Sequence, residues 1–275
     1  PGILARGSYH VVVGNPPYIT VKDRALNEAY RRGYRTCHRQ YALTVPFMEL
    51  FFALATHEGT PGWVGQITSN SFMKREFGKK VIEQLLAGHY PNIPVDLTTV
   101  IDTSGAYIPG HGTPTVILIG RARRPEGETV RAVLGIRGEP GQPDEPAKGL
   151  VWSEMVKHSM AGPSEGSYIS VLDLPRSELG RHPWALSGGA AEQVSNVIAT
   201  GRMTLSECIV PPIGRAIRAG ADEVYMRPQR LSGALGRKGV STRSLLTGEH
   251  VRDWSETAPD LMIYPYGDLE AIAQA

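Results

Sequence analysis

The stretch Tyr9-His10-Val11-Val12-Val13-Gly14-Asn15-Pro16-Pro17-Tyr18 constrains the fold more than any other part of the chain. Tyr9 and Val11 to Val13 have high β-propensity and predict a short buried strand. Gly14 ends the run, and the two prolines exclude both helix and continued strand. Asn15 and Tyr18 are therefore expected at the carboxyl end of a strand, joined by a stiff Pro-Pro link. In open α/β sheets that is where ligands bind.

These residue types suit one kind of chemistry. The Asn15 carboxamide oxygen can accept a hydrogen bond from an amino group, and the Pro16 carbonyl can accept a second from the same group. Two acceptors around one exocyclic NH2 draw its nitrogen out of conjugation with a ring and expose its lone pair. Tyr18 offers a flat face on which a ring can stack. An amine made nucleophilic beside a planar ring is what methyl transfer to a nucleobase needs. The same four residues also fit a rigid strand-to-loop turn with a capping Asn and a packed Tyr.

The following segment, residues 19–39, is polar and carries Lys22, Arg24, Arg31, Arg32, Arg35 and Arg39. It predicts a basic loop or short helix, either a solvated face or a surface for phosphates. Leu43, Phe47, Leu50, Phe51 and Leu54 repeat at helical spacing and predict a helix over 40–57. Gly59-Thr60-Pro61-Gly62 stops it. Trp63 to Thr68 predicts a buried strand, and a helix is expected from about Met73 to Ala87. This strand–helix–strand pattern belongs to parallel sheets with right-handed crossovers. Leu97 to Asp102 and Thr115 to Gly120 predict two more strands. Their connection is too short for a crossover helix, so they should pair antiparallel.

Residues 125–149 are rich in Pro, Gly and charge and read as an edge hairpin, with a strand-like run from Thr129 to Arg137, plus a linker. Beyond them, Val151 to His158 predicts a short helix, Leu172 to Trp184 a loop and Ala190 to Ala199 a helix. The pattern as a whole is α/β, with a break near 124 and another near 150.

Composition narrows the class. The 275 residues are 41% hydrophobic, a globular proportion, and no run reaches the roughly 20 apolar residues of a membrane span. The net charge of +2 announces no polyanion partner for the chain as a whole. Cys37 and Cys208 are isolated, so no metal site or disulfide framework is expected and a reducing cytoplasm is the default. Pro1-Gly2 is neither an initiator nor a signal peptide, and the chain is expected to be a piece of a longer protein.

Asn15-Pro16-Pro17-Tyr18 behind a valine-rich strand resembles the catalytic motif of the S-adenosylmethionine-dependent methyltransferases that act on amino groups. Tyr41-Ala42-Leu43 with Pro46-Phe47-Met48-Glu49, and Gly65 to Phe72, resemble further motifs of the adenine-specific DNA enzymes. The likeness extends to the methyltransferases of phage growth limitation (BREX-type) phage defence, which resemble fused restriction-modification proteins. It covers most of residues 8–124 and the rest more loosely. It implies the carboxyl-terminal half of a Rossmann-like methyltransferase sheet, ending in an antiparallel hairpin, over 1–124. An edge hairpin and linker over 125–149 and part of a target-recognition domain over 150–275 would follow.

The resemblance also implies roles. Asn15, Pro16, Pro17 and Tyr18 would be catalytic, acting on a flipped adenine. Tyr18 and Tyr107 would stack on that base, while Asn15 and Phe47 would lie against S-adenosylmethionine. Double-stranded DNA and other phage-defence components would be the partners, in the bacterial cytoplasm and away from any membrane. Ile213 to Tyr225 resembles the entry to a target-recognition domain, although Ala219-Gly220 stands where Thr-Gly is usual. Met262 to Tyr266 resembles a later strand of that domain. Arg215, Arg218, Arg227 and Arg230 are the DNA-binding candidates.

The family's cofactor-binding Gly-rich loop and ribose-binding acidic residue have no counterpart in these residues. The main cofactor half-site is therefore expected upstream, and the chain alone is expected to be inactive. Two other readings stay open. Protein glutamine amide methyltransferases also use Asn-Pro-Pro-Tyr, but they end soon after the last strand of the sheet, and this chain continues well past Arg124. A non-catalytic DNA-specificity module would keep the methyltransferase remnant only as scaffold.

Overall fold

The computed structural model describes residues 2–110, 112–159, 162–186, 188–189, 221–247, 250–252, 255–256 and 260–264, with isolated positions at 194, 197, 198, 203 and 207. The chain divides into two compact units, one ending at Arg202 and one starting at Met203.

The first unit is built on a seven-stranded mixed sheet. Its strands are β1 (Val11–Gly14), β2 (Trp63–Ser69), β3 (Asp96–Asp102), β4 (Thr115–Arg121), β5 (Thr129–Gly135), β6 (Ser164–Glu165) and β7 (Ile169–Pro175). Their spatial order is β1-β2-β4-β3-β5-β7-β6. β1 pairs parallel with β2, and β4 lies antiparallel between β2 and β3. So β1, β2 and β3 run in one direction, and their carboxyl ends share one edge. The antiparallel hairpin expected of β3 and β4 is present.

Side chains alternate across the sheet with the strand period. Val100, Val116, Leu118, Ala132 and Leu134 enter the larger core. Ile101, Ile117, Ile119, Val133 and Val171 face the other side, where α3 (Leu150–His158) covers them with Val151 and Met155.

Two further helices position the site. α1 (Arg24–Gly33) is capped by Asp23, whose carboxylate accepts from Leu26 N at 2.7 Å, and none of its residues is buried. α2 (Thr44–Leu54) packs Val45, Met48 and Phe52 into the larger core. It is shorter than the helix predicted over 40–57. Ala42 bridges Thr20 instead of joining the helix, and Pro46 sits in the first turn, where a missing N–H costs nothing.

Several expectations are corrected. The strand before Asn15 is not buried. β1 is the edge strand, paired with β2 alone, and Val11 and Val13 on one of its faces are 59% and 75% exposed. The helix predicted from Met73 to Ala87 is replaced by 3-10 turns at Asn70–Met73 and Glu76–Gly78 and a π-helical turn at Val81–Leu86. Gly78 lies so close to the Phe72 backbone that an added Cβ would stand 1.8 Å from the Phe72 carbonyl oxygen, and a continuous α-helix cannot make that approach.

The strand-like run near 129–137 is not an edge. β5 is interior, parallel to β3 on one side and antiparallel to β7 on the other. The stretch read as a loop over 172–184 contains most of β7 and then α4 (Arg176–Leu179). The sheet unit thus runs past the breaks expected at 124 and 150. Strands β5 and β7 complete each other's hydrogen bonds, which neither composition nor local pattern registers. The helix expected over Ala190–Ala199 lies almost wholly outside the described residues.

The second unit holds α5 (Asp222–Tyr225), β8 (Met226–Arg227), α6 (Ser232–Arg237), β9 (Thr242–Leu245), β10 (Val251–Arg252), β11 (Ser255–Glu256) and β12 (Asp260–Ile263). β12 is the centre of an antiparallel β8-β12-β9 sheet, and its Leu261 and Met262 are buried. That strand overlaps the one expected from Met262 onward. Among the described residues no helix is long and apolar enough to cross a membrane.

Candidate active site

β1 ends at Gly14, and the chain turns on Pro16 and Pro17. Gly14 leaves no spare room here, because a Cβ would stand 2.5 Å from the ring of Phe51 on α2 and would push that ring aside. The strand end is thereby seated directly on an aromatic ring. Phe47, one turn earlier on α2, meets Phe51 edge-on with centroids 5.9 Å apart. Both rings are half-buried, and Phe51 lies against Gly14, one residue before Asn15.

Asn15 is exposed, Pro16 is buried and Tyr18 is half-buried. The Tyr18 hydroxyl donates to Asn15 Oδ1 at 2.7 Å. The hydroxyl is protonated near neutral pH, as a tyrosine ordinarily is, and burial raises its pKa further. The four motif residues therefore form one preset unit, with the ring tied to the carboxamide across the Pro-Pro link.

The neighbouring strand ends are stitched together. Asn70, just after β2, donates its backbone N–H to Pro114 O at 3.0 Å and its Nδ2 to Ser104 Oγ at 3.2 Å. Ser104 Oγ in turn donates to Asp102 Oδ1 at 2.5 Å. Glu139 N donates to Gly105 O at 2.8 Å and holds the start of the β3–β4 connection. Tyr107 lies on that connection and is half-buried. It shares the sheet edge with Tyr18, but the ends of β2 and β4 intervene, and β1 and β3 stand three strand spacings apart, about 14 Å. The topology thus brings Asn15, Pro16, Pro17, Tyr18 and Phe47 into one place and sets Tyr107 across the edge from them.

Sequence reasoning missed the group that fixes the segment after Tyr18. Glu49 on α2 is only 4% exposed. Its Oε2 accepts from Thr36 N at 3.1 Å and from Thr36 Oγ1 at 2.7 Å, and its Oε1 accepts from Tyr90 OH at 2.6 Å. Burial and then the Glu49 carboxylate push the Tyr90 pKa well above the usual tyrosine range. Burial likewise pushes the nearby Cys37 thiol up to about 12, so it is not a nucleophile at neutral pH. The available signal was one carboxylate at an apolar helical spacing, between Val45 and Phe52.

Of the DNA-binding candidates, Arg215 and Arg218 lie outside the described residues, as does His111. Arg227 is half-buried and donates to the carbonyls of Glu223 and Met226, the latter at 2.8 Å. Arg230 is exposed. No cluster of His, Cys, Asp and Glu that could hold a metal occurs among the described residues.

The Asn-Pro-Pro-Tyr turn thus sits at the carboxyl edge of a mixed α/β sheet, next to Phe51 of α2. Residues 2–99 match the family described as Eco57I restriction-modification methylase, and that part of the chain belongs to it. More particularly, the chain is 44% identical over 274 residues to the adenine-specific methyltransferase PglX of Streptomyces coelicolor, covering 97% of this chain and 22% of that protein. It is 24% identical over 259 residues to the type II methyltransferase M.PaeR7I of Pseudomonas aeruginosa, covering 88% of this chain and 40% of that one. Among solved structures, the type IIG restriction endonuclease BpuSI superposes with a TM-score of 0.49 at 18% identity, over 96% of this chain and 32% of that one. The chain thus spans less than half the length of the curated relatives it matches.

Proposed function

We propose that this chain is the catalytic-loop portion of an adenine-specific DNA methyltransferase that serves phage defence or restriction-modification. It would transfer a methyl group from S-adenosylmethionine to the exocyclic amino group of a flipped adenine. The observation that carries the reading is the preset Asn15–Tyr18 unit: an exposed carboxamide and a stacking ring, bonded at 2.7 Å on a Pro-Pro link at a strand's carboxyl end. The family match over residues 2–99 supports it, as does a relative whose name specifies adenine.

A base within a duplex hides its amino group, so the target must leave the stack, at a cost of a few kcal/mol. The Tyr18 ring receives it and returns roughly 1–3 kcal/mol, with Tyr107 on the second side. Asn15 Oδ1 and the Pro16 carbonyl then accept the two amino hydrogens and hold the nitrogen in line for attack. A carboxamide oxygen has two lone pairs, so Asn15 can accept from the substrate while keeping the Tyr18 hydroxyl. The half-buried Phe47–Phe51 pair fits a cofactor with an adenine ring: Phe47 would lie against that ring and Asn15 beside it. S-adenosylmethionine, when bound, supplies the methyl group as an electrophile. The remaining cofactor contacts come from outside these residues.

Sequence reading falls to the second unit, through Arg215, Arg218 and Arg230, with Arg227 bracing α5. Exchanging that unit for a relative's should change the methylated site. The main test is methylation-aware sequencing of DNA exposed to the full-length protein. Methylated adenine at a defined site is the expected result, and unmodified DNA overturns the reading. Calorimetry of this chain alone should show S-adenosylmethionine binding weaker than micromolar, that is, less than about 8 kcal/mol.

A further inference from the structure

The segment between Tyr18 and α2 is a closed basic lobe. It leaves the site at Ile19 and returns at Leu43, whose N–H donates to Ile19 O at 2.9 Å, and Thr20 bridges Ala42. Inside this closure the lobe is firmly tethered. Glu49 grips Thr36 through two hydrogen bonds. Tyr41 OH donates to Asn27 O at 2.8 Å. Val21, Tyr30 and Tyr34 pack against the larger core.

The charge of the lobe is lopsided. Residues 22–39 hold six Lys and Arg against Asp23 and Glu28, four positive charges net, where the whole chain carries +2. Everything outside the lobe is therefore net acidic. Asp23 is engaged as the α1 cap, and Glu28 stands 3.9 Å from Arg31. Arg31 also donates to the Arg39 carbonyl, and Arg35 lies over the Tyr90 ring. Lys22, Arg24, Arg32 and Arg39 are exposed and make no ion pair among the described residues. Lys22 and Arg24 lie at the amino end of α1 and Arg32 at its carboxyl end, on a helix about 15 Å long, and Arg39 lies beyond it, where its carbonyl accepts from Arg31.

We propose that Lys22, Arg24, Arg32 and Arg39 grip the phosphate backbone of the DNA duplex beside the extruded base. The inference rests on the methyltransferase reading above and deepens it. Cations at the two ends of a helix about 15 Å long can reach several phosphates of a strand that carries one charge per about 3.4 Å of axis. The lobe follows directly from Tyr18, so it lies against the DNA that flanks a base stacked there. The tethers to Glu49 and Tyr41 hold this surface in place before DNA arrives. Such contacts set register and orientation, and base reading belongs elsewhere.

The test is the salt dependence of duplex binding by the full-length protein, measured by fluorescence anisotropy between 50 and 200 mM salt. Replacing Lys22, Arg24, Arg32 and Arg39 with Ala should flatten the slope of log K against log salt by about 3 to 4 and weaken binding roughly tenfold or more at low salt. A second variant, with Arg24, Arg32 and Arg39 changed to Lys, should keep the wild-type slope and shows that the lobe still folds. Methylation-aware sequencing of the Ala variant should return the same target site. An unchanged slope in a protein that binds DNA overturns this inference alone, as does an altered target site. Failure of the unmodified protein to bind duplex DNA overturns the methyltransferase reading together with it.

Discussion

The two ends of the sheet are built on opposite principles. At the amino end of β3, Asp96 is 1% exposed and both of its oxygens are engaged by arginines. Its Oδ1 accepts from Arg176 Nη2 at 2.6 Å and its Oδ2 from Arg123 Nε at 2.9 Å. Arg176 also donates to the carbonyls of Leu97, Glu126 and Gly127 at 2.9–3.0 Å. This cluster ties β3, the turn after β4 and α4 together. At the carboxyl end of β1, Asn15 is exposed and its oxygen keeps a lone pair to spare. One end spends its polar groups on cohesion. The other keeps an acceptor and an aromatic face available to a ligand, and that asymmetry is what makes it a site.

The comparison can be broken from either side, and the largest effect is expected at the buried, ion-paired end. Asp96→Ala leaves two arginines without their shared carboxylate and should cost about 3–5 kcal/mol of stability. Equilibrium urea unfolding measures it, and a loss below about 1 kcal/mol would remove Asp96 from its structural role. At the open end, Asn15→Ala loses only the bond from the Tyr18 hydroxyl and should cost about 1 kcal/mol of stability. In the full-length protein it should cut single-turnover methyl transfer by about 100- to 1000-fold, the effect of removing one hydrogen bond made chiefly in the transition state. Transfer at close to the wild-type rate would show that Asn15 is only a turn residue.

Gly14→Ala sharpens the boundary between the two behaviours. The new methyl group meets the Phe51 ring, so a stability loss of about 1–3 kcal/mol is expected, together with slower transfer because Asn15 shifts. Phe51→Leu in the same background should restore part of both, and a Gly14→Ala variant with wild-type stability would contradict the observed contact. The smallest effect is expected for Tyr18→Phe, which removes the bond to Asn15 at about 1 kcal/mol and keeps the stacking face. Most activity should survive that change and be lost in Tyr18→Ala. Equal losses in the two variants would assign the hydroxyl, rather than the ring, the main role.

Sequence and structure agree best where local chemistry is decisive. Gly14 and two prolines must end a strand whatever surrounds them, so Asn15 and Tyr18 were legible as strand-end residues. The β3–β4 hairpin was legible because the twelve intervening residues sit at the lower limit for a crossover and carry Gly105, Pro109, Gly110, Gly112 and Pro114, which a crossover helix would not hold. The interior placement of β5 was not. Its flanks are rich in Pro and Gly, and β7, the strand that completes it, lies beyond α3 and resembles a loop in sequence. The helix expected after Met73 failed for a similar reason: Gly78 is pressed against the Phe72 backbone, and no local signal reports that approach.

The amino-acid sequence by itself therefore determined the turn, its acceptor and its ring, because proline geometry and side-chain chemistry act within a few residues. It also determined the basic character of the segment that follows. Only the tertiary structure decided that Val11 and Val13 face outward, that Phe51 lies under Gly14, that Glu49 pins Thr36 and that Asp96 joins two arginines. Each of these joins residues that are distant in the chain or depends on which strand edges are paired. Such pairings are chosen by the packing of the whole sheet, and no window of the sequence contains them.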